Sequence, residues 1–192
     1  MVKIGITGGI GSGKSVVSKI LETLGYPVFN SDSVAKEIVN TDPEIIHGLK
    51  ELFGDQIYKG NELNRELLAQ HIFSDDNYRE KVNRLIHPRV RAAFEAFAIN
   101  AASPVVFNEA AILLETGAYQ QFSKTILITA PKELRLKRVM QRDNVSEEAV
   151  KARMEKQWSD EKKIPLADYT ICNDEKEPLL AQVQHVLKEM NF

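Results

Sequence analysis

One cysteine, Cys172, and one tryptophan, Trp158, stand in a chain of 192 residues. A single thiol cannot close an intrachain disulfide, and Cys172 has no neighbours at metal-ligand spacing, which fits a reducing compartment. Its plain reading is a small apolar residue packed in a strand. Long apolar runs are missing too: no stretch approaches the roughly 20 residues that a membrane-spanning helix needs. The N-terminal residues carry no charged-then-apolar leader, so the expectation is a cytoplasmic protein with no membrane partner. Charge of one sign is also lacking. The 25 Lys and Arg against 27 Asp and Glu leave a net charge of −2, so no overall field draws the chain onto nucleic acid, and a small soluble partner is expected. No repeat, low-complexity tract or Pro/Gly/Ser-rich linker divides the chain. With 43% hydrophobic residues it can bury one good core with insertions, but it is too short for two full-sized independent domains.

What the sequence does have is concentrated near its start. Val2, Ile4 and Ile6 read as a short strand, and Val16, Val17, Ile20, Leu21 and Leu24 follow at helical spacing. Between them Gly8, Gly9, Gly11 and Gly13 leave a loop almost without Cβ atoms, whose backbone N–H groups can turn inward on one small anion. The pattern from Gly8 to Ser15 is G-x-x-x-x-G-K-S, a phosphate-binding loop, in the strand–loop–helix context that its mechanism requires. Its amides are expected to cradle a β-phosphate, Lys14 to bridge β- and γ-oxygens, and the Ser15 hydroxyl to ligate Mg²⁺.

Tyr26-Pro27-Val28-Phe29 reads as a second strand, ending in Asn30-Ser31-Asp32-Ser33. Asp32 either caps the next helix or faces the crevice at the C-terminal edge of a parallel sheet. Residues 43–101 look helical nearly throughout. One face carries Ile45, Ile46, Leu49, Leu52 and Phe53, and another, capped by Asn64, carries Leu67, Leu68, Ile72 and Phe73. A third helix, from about Asp75, should end at Ile86, before His87-Pro88, because a residue preceding proline is pushed out of the α region. A fourth should carry Val90, Ala93, Phe94 and Phe97. His87 is then a boundary residue or a ligand contact. Val105-Val106-Phe107 is a third strand ending in Asn108-Glu109, where a carboxylate would hold the water shell of Mg²⁺. Glu115 is either a solvated helix residue or a substrate contact. Thr125–Thr129 is a buried strand, and Pro131 opens a helix. Arg135, Arg138 and Arg142 share one face of that helix, and Arg153 and Gln157 are four apart on the next, which reads as a lid whose arginines close on a transferring phosphoryl group. Trp158 is expected to pack inside that hairpin. Tyr169–Cys172 is a fifth strand ending in Asn173-Asp174, and a helix with Leu179, Leu180, Val183, Val186 and Leu187 closes the fold. Five strands in this alternation argue for an α/β architecture, a doubly wound parallel sheet flanked by helices, with polar groups gathered at one edge.

A phosphate-binding loop alone leaves several classes open. A guanine-selecting Asn-Lys-x-Asp motif is missing, and motor ATPases are longer, which favours a small kinase. The motifs Thr7-Gly8-Gly9-Ile10-Gly11-Ser12-Gly13-Lys14-Ser15, Asp32 with Ala35-Lys36, Arg65-x-x-Leu68 leading to Ile72-Phe73, His87-Pro88, Leu113-Leu114-Glu115, Arg138-x-x-x-Arg142-Asp143, Arg153-x-x-x-Gln157 and Ala167-Asp168-Tyr169 with Asn173 occur in one order across nearly the whole chain. Together they resemble the dephospho-CoA kinase family. The resemblance implies transfer of the γ-phosphoryl group of ATP, with Mg²⁺, to the ribose 3′-hydroxyl of dephospho-CoA, the last step of coenzyme A synthesis. It implies a nucleotide-binding core over about 1–42, 103–131 and 165–192, a helical acceptor-binding insertion over about 43–102 and a lid over about 132–164. Asp32, Lys14 and Arg142 would carry the chemistry. ATP is expected on Gly8, Gly9, Gly11, Ser12, Gly13, Lys14, Ser15 and Val16, with Arg142 and Asn173. The acceptor is expected on Asp32, Arg65, His87, Glu115 and Arg138, and the metal on Ser15 and, through water, Glu109. The chain departs from the family's common pattern at Asn30, Lys36, Glu109 and Ala111. The expected partners are ATP and dephospho-CoA, without nucleic acid, in a monomer or weak homo-oligomer. A nucleoside monophosphate kinase or other small-metabolite kinase is the alternative among enzymes, and a nucleotide-gated switch protein is the alternative outside them.

Overall fold

In the computed structural model, which describes residues 1–192 apart from the side chains at positions 73, 74 and 76, the elements run β1 (Val2–Gly8), α1 (Lys14–Thr23), β2 (Val28–Asn30), α2 (Ser31–Thr41), α3 (Pro43–Phe53), β3 (Tyr58–Lys59), β4 (Glu62–Leu63), α4 (Arg65–Ser74) and α5 (Asp76–Asn100). They continue as β5 (Val105–Glu109), β6 (Lys124–Thr129), α6 (Lys132–Asp143), α7 (Glu147–Met154), α8 (Asp160–Lys163), β7 (Tyr169–Cys172) and α9 (Leu179–Glu189). The chain divides into two compact units: residues 1–30 with 101–192, and residues 31–100.

The first unit is built on a five-stranded sheet in the order β2-β5-β1-β6-β7, and every pairing is parallel. β1 is central and buried over most of its length, as a strand covered on both faces must be. Ile4 and Ile6 meet Val17 and Leu21 of α1, Ile126 and Ile128 of β6, and Val183, Val186 and Leu187 of α9 in one apolar core. β2 and β5 lie on one side of β1 and β6 and β7 on the other, so β1 is the switch point of the sheet, and the loop after it opens at the C-terminal edge where such sheets bind ligands. The sheet's free edge at β7 is partly closed by the Gln182 side chain, which accepts from Cys172 N–H and donates to Cys172 C=O, each at 2.9 Å. Cys172 itself is exposed, not packed as its strand position suggested, because Ile171 takes the inward place and alternation turns Cys172 out.

The second unit has its own core of Val39, Ile45, Leu49, Phe53, Ile57, Tyr58, Leu63 and Val82. Asp42 caps α3 by accepting from Glu44 N–H at 2.9 Å and Ile45 N–H at 3.2 Å, with Pro43 at the first helical position. Asn64 caps α4 by accepting from Leu67 N–H; Phe73, expected on that helix's apolar face, lies outside the described side chains. The nearly all-helical expectation misses the β3–β4 hairpin, whose two-residue Gly60-Asn61 loop, with Gly60 at φ 63°, supplies the turn. The expected break at His87-Pro88 is absent as well: α5 runs unbroken with Pro88 inside it. Proline removes one ladder hydrogen bond and strains the turn before it, and contacts of α5 with α2, α3 and α4 carry the helix across.

Candidate active site

The loop between β1 and α1 gathers an anion site from backbone alone. Gly13 sits in the left-handed region (φ 97°, ψ 23°) and starts α1 with no side-chain cap on its first-turn amides. Those amides and the positive end of the helix dipole face whatever lies in the loop. A Cβ on Gly13 would fall 2.0 Å from Asn173 Nδ2, so glycine is required there twice over. Lys14 reaches back across the loop, donating to Gly8 C=O at 2.9 Å and Gly9 C=O at 3.4 Å. Ser12 N–H bonds Gly9 C=O at 3.1 Å and tightens the turn.

Glu109 ends β5 beside Ile6 of β1 and Asn30 of β2. Only 5% exposed, its Oε2 accepts from Ser18 Oγ at 2.8 Å and from Asn30 Nδ2 at 3.1 Å. Asn30 thus meets Glu109 as an amide donor. An Asp at 30 would set a second carboxylate against it. Ser18 was not singled out from the sequence; the available signal was a serine on the buried face of α1, three residues after Ser15. Among the described residues no group of three or more His, Cys, Asp or Glu side chains comes together. The donors present, one buried carboxylate and the exposed Ser15 hydroxyl, are hard oxygens few enough to suit Mg²⁺, which takes most of its shell from phosphate and water.

The basic helices do not present one uniform face. Arg135, 9% exposed, donates through Nε to Ile10 C=O at 2.9 Å and lies 3.5 Å from Asp160 Oδ2. Arg138 donates to Gly11 C=O at 3.4 Å, to Asn173 C=O at 3.1 Å and to Glu175 at 2.9 Å. Arg142 forks onto Asp143 at 2.7 and 3.1 Å, and Arg153 joins the same carboxylate at 2.9 Å. The Arg142 hydrogen bonds hold the Asp143 carboxyl below its usual range, and the same bonds raise the Arg142 guanidinium. Gln157 lies beyond the end of α7, not on one helix with Arg153, and accepts from Ile10 N–H at 2.8 Å. Glu115 Oε1 is 2.7 Å from the fully buried Lys163 Nζ, an ion pair without hydrogen-bond alignment, and accepts from Trp158 N–H at 3.3 Å. Trp158, expected to pack inside the hairpin, is 40% exposed. Burial raises Asp160, against the opposing pull of Arg135 and Lys163.

The structure therefore brings Gly8–Ser15, Glu109, Arg138 and Asn173 together within the first unit. Asp32, Arg65 and His87 belong to the second. Asp32 sits in the first turn of α2, two residues beyond Asn30, where a carboxylate suits the helix dipole. Arg65 opens α4, with Nη2 3.5 Å from Lys36 C=O. His87 lies on the exposed surface of α5; partial desolvation first, and Arg91 second, lower its pKa from 6.5. The unfolded chain then takes the proton before the folded one does. Stability is full above about pH 6.5 and falls as pH drops toward the lower folded value. Urea midpoints measured at about pH 7.5 and about pH 5.5 should separate less in His87→Gln than in the parent chain; an equal separation would remove His87 from this titration.

A model of the dephospho-CoA kinase family matches residues 2–178. Dephospho-CoA kinase of Bacteroides fragilis (strain YCH46) is 41% identical over 187 residues, covering 97% of this chain and 91% of that protein. The enzyme of the same name from Chlorobium chlorochromatii is 40% identical over 179 residues, covering 89% and 84%. A crystal structure from Thermus thermophilus superposes with a TM-score of 0.89 at 35% identity, covering 98% and 97% of the two chains. Dephospho-CoA kinase from Campylobacter jejuni gives 0.69 at 28%, covering 98% and 96%. The likeness to shikimate kinase from Bacteroides thetaiotaomicron, 0.53 at 14% identity, covering 100% and 99%, is one of fold alone. With a phosphate-binding loop at the sheet's switch point and a family match across most of its length, this chain belongs to the dephospho-CoA kinase family and is a kinase.

Proposed function

We propose that the protein transfers the γ-phosphoryl group of ATP to the ribose 3′-hydroxyl of dephospho-CoA, giving coenzyme A, in the cytoplasm. The observation that carries this reading is the glycine loop running into an uncapped helix start, with Lys14 already curled across it, in a chain of this family. Loop amides hold the β-phosphate, and Lys14 exchanges its two loop carbonyls for β- and γ-oxygens when the nucleotide arrives. Ser15 and, through water, Glu109 would hold Mg²⁺, which when bound would supply charge neutralisation at the transferring group. Ser18 and Asn30 keep the Glu109 carboxylate in one rotamer for that task.

Asp32 accepts or orients the proton of the attacking 3′-hydroxyl. Phosphoryl transfer passes through a loose transition state, so the carboxylate works chiefly by positioning. Arg142 leaves Asp143 and closes on the γ-phosphoryl oxygens as residues 132–164 act as a lid. Arg65 and His87 supply acceptor contacts. Glu115 and Arg138, expected among them, are both engaged inside the first unit, and Asn173, expected on ATP, is bonded to the loop itself. Incubation with ATP, Mg²⁺ and a panel of alcohols and nucleotides tests the reading. Transfer to dephospho-CoA well above every other acceptor is expected. Preferred transfer to a nucleoside monophosphate or a sugar would make it a different kinase, and slow transfer to water alone would make it a switch.

A further inference from the structure

Three successive carbonyls of the phosphate-binding loop are each tied down by a side chain from far along the chain. Ile10 C=O accepts from Arg135 Nε at 2.9 Å, Gly11 C=O from Arg138 Nη1 at 3.4 Å, and Ser12 C=O from Asn173 Nδ2 at 2.9 Å. In a planar trans peptide the C=O points opposite to the N–H of the next residue. Holding the Ile10 and Ser12 oxygens therefore turns the N–H groups of Gly11 and Gly13 away from those donors, while the intervening Ser12 N–H closes onto Gly9 C=O.

The donors are themselves fixed. Asn173 is 8% exposed, its N–H is bonded to Thr129 C=O at 2.8 Å, and its Oδ1 accepts from Arg138 Nη2 at 3.3 Å. Arg135 is buried against Asp160, and a Cβ on Gly9 would fall 2.0 Å from its Nη2. Gln157 holds the Ile10 N–H on the same stretch. A cation on a peptide oxygen also polarises that peptide, which strengthens the N–H opposite.

We propose that Arg135, Arg138 and Asn173 are positioning residues for phosphate binding: a frame behind the loop that aims its amides, rather than groups that touch ATP or the acceptor. The inference rests on the reading that this loop takes the nucleotide's phosphates.

Calorimetric titration of the full chain with ADP, with inorganic tripolyphosphate and with dephospho-CoA tests it, in the parent and in Asn173→Asp, Arg138→Met and Arg138→Lys. Asn173→Asp replaces the donor at Ser12 C=O by an acceptor, Arg138→Met removes its bonds to the loop and to Asn173, and Arg138→Lys keeps the charge without the fork. The first two should weaken both phosphate probes by about tenfold, as loss of a buried hydrogen bond does. Arg138→Lys should weaken them less and keeps the test readable should a stronger substitution prevent folding. Dephospho-CoA affinity should hold in every variant that folds. Parental affinity for tripolyphosphate in the folded variants overturns the frame, as does a loss confined to ADP, which would mark base recognition. Loss of dephospho-CoA binding alone in Arg138→Met would move that residue to the acceptor and overturn it too. A parent chain that binds neither phosphate probe would sink the nucleotide-site reading itself.

Discussion

Asp32→Asn is expected to lower kcat by about 10²- to 10³-fold, the range of a removed acid–base group, while ATP affinity stays within a small factor of the parent value. The substitution discriminates because losing a first-turn carboxylate costs a helix only about 0.3–1 kcal/mol, and α2 begins at Ser31 with Asp32 in its first turn. A residue that only started the helix would lose little. A residue that takes or steers the proton of the acceptor hydroxyl loses the charge it needs for that step. Steady-state kinetics with dephospho-CoA, beside an equilibrium titration with a slowly hydrolysed ATP analogue, separates the two. Turnover near the parent rate would leave Asp32 as a helix-start carboxylate and nothing more.

Arg142→Ala is expected to slow the chemical step by about 100-fold, the effect of removing one preorganised group from a developing charge, with a smaller change in ATP affinity. The Arg142 side chain is 63% exposed and forked on Asp143. That pair is worth little in water, so a phosphoryl group carrying more charge can displace it. Arg142→Lys should recover only part of the rate, because a point charge cannot reproduce the planar fork. Rapid-quench single turnovers report the step directly. Parental single-turnover rates in Arg142→Ala would remove this arginine from the mechanism and leave it as the surface partner of Asp143.

The parts of this molecule that could be read from sequence are those whose conformation is set locally. Gly8–Ser15 announces itself because backbone freedom and a helix start are local properties, and the buried run Thr125–Thr129 can be little else than a covered strand. Asn64 and Ser146 are caps whose donors, the N–H groups of Leu67 and Ala149, lie three residues away. Pro88 misled because the local penalty it imposes is outweighed by packing of a long helix, which no window of sequence contains. The β3–β4 hairpin did carry its signal, the Gly60-Asn61 pair, inside what read as helical territory. The arginines of α6 were legible as a group and illegible one by one. Their spacing shows a shared face, but whether a guanidinium meets a loop carbonyl 125 residues away, as Arg135 does, or the adjacent Asp143, as Arg142 does, depends on tertiary approach. Ser18 and Asn30 became part of the site for the same reason: their partner Glu109 lies 91 and 79 residues away.

The most direct measurement is a crystal structure of the protein with a non-hydrolysable ATP analogue, Mg²⁺ and dephospho-CoA. The chemistry set out above predicts the β-phosphate among the amides of Gly11–Ser15 and the ribose 3′-oxygen at about 2.6–3.2 Å from an Asp32 carboxylate oxygen, in line with the γ-phosphorus. Phosphates bound elsewhere, or a 3′-oxygen beyond reach of Asp32 in the closed complex, would contradict it.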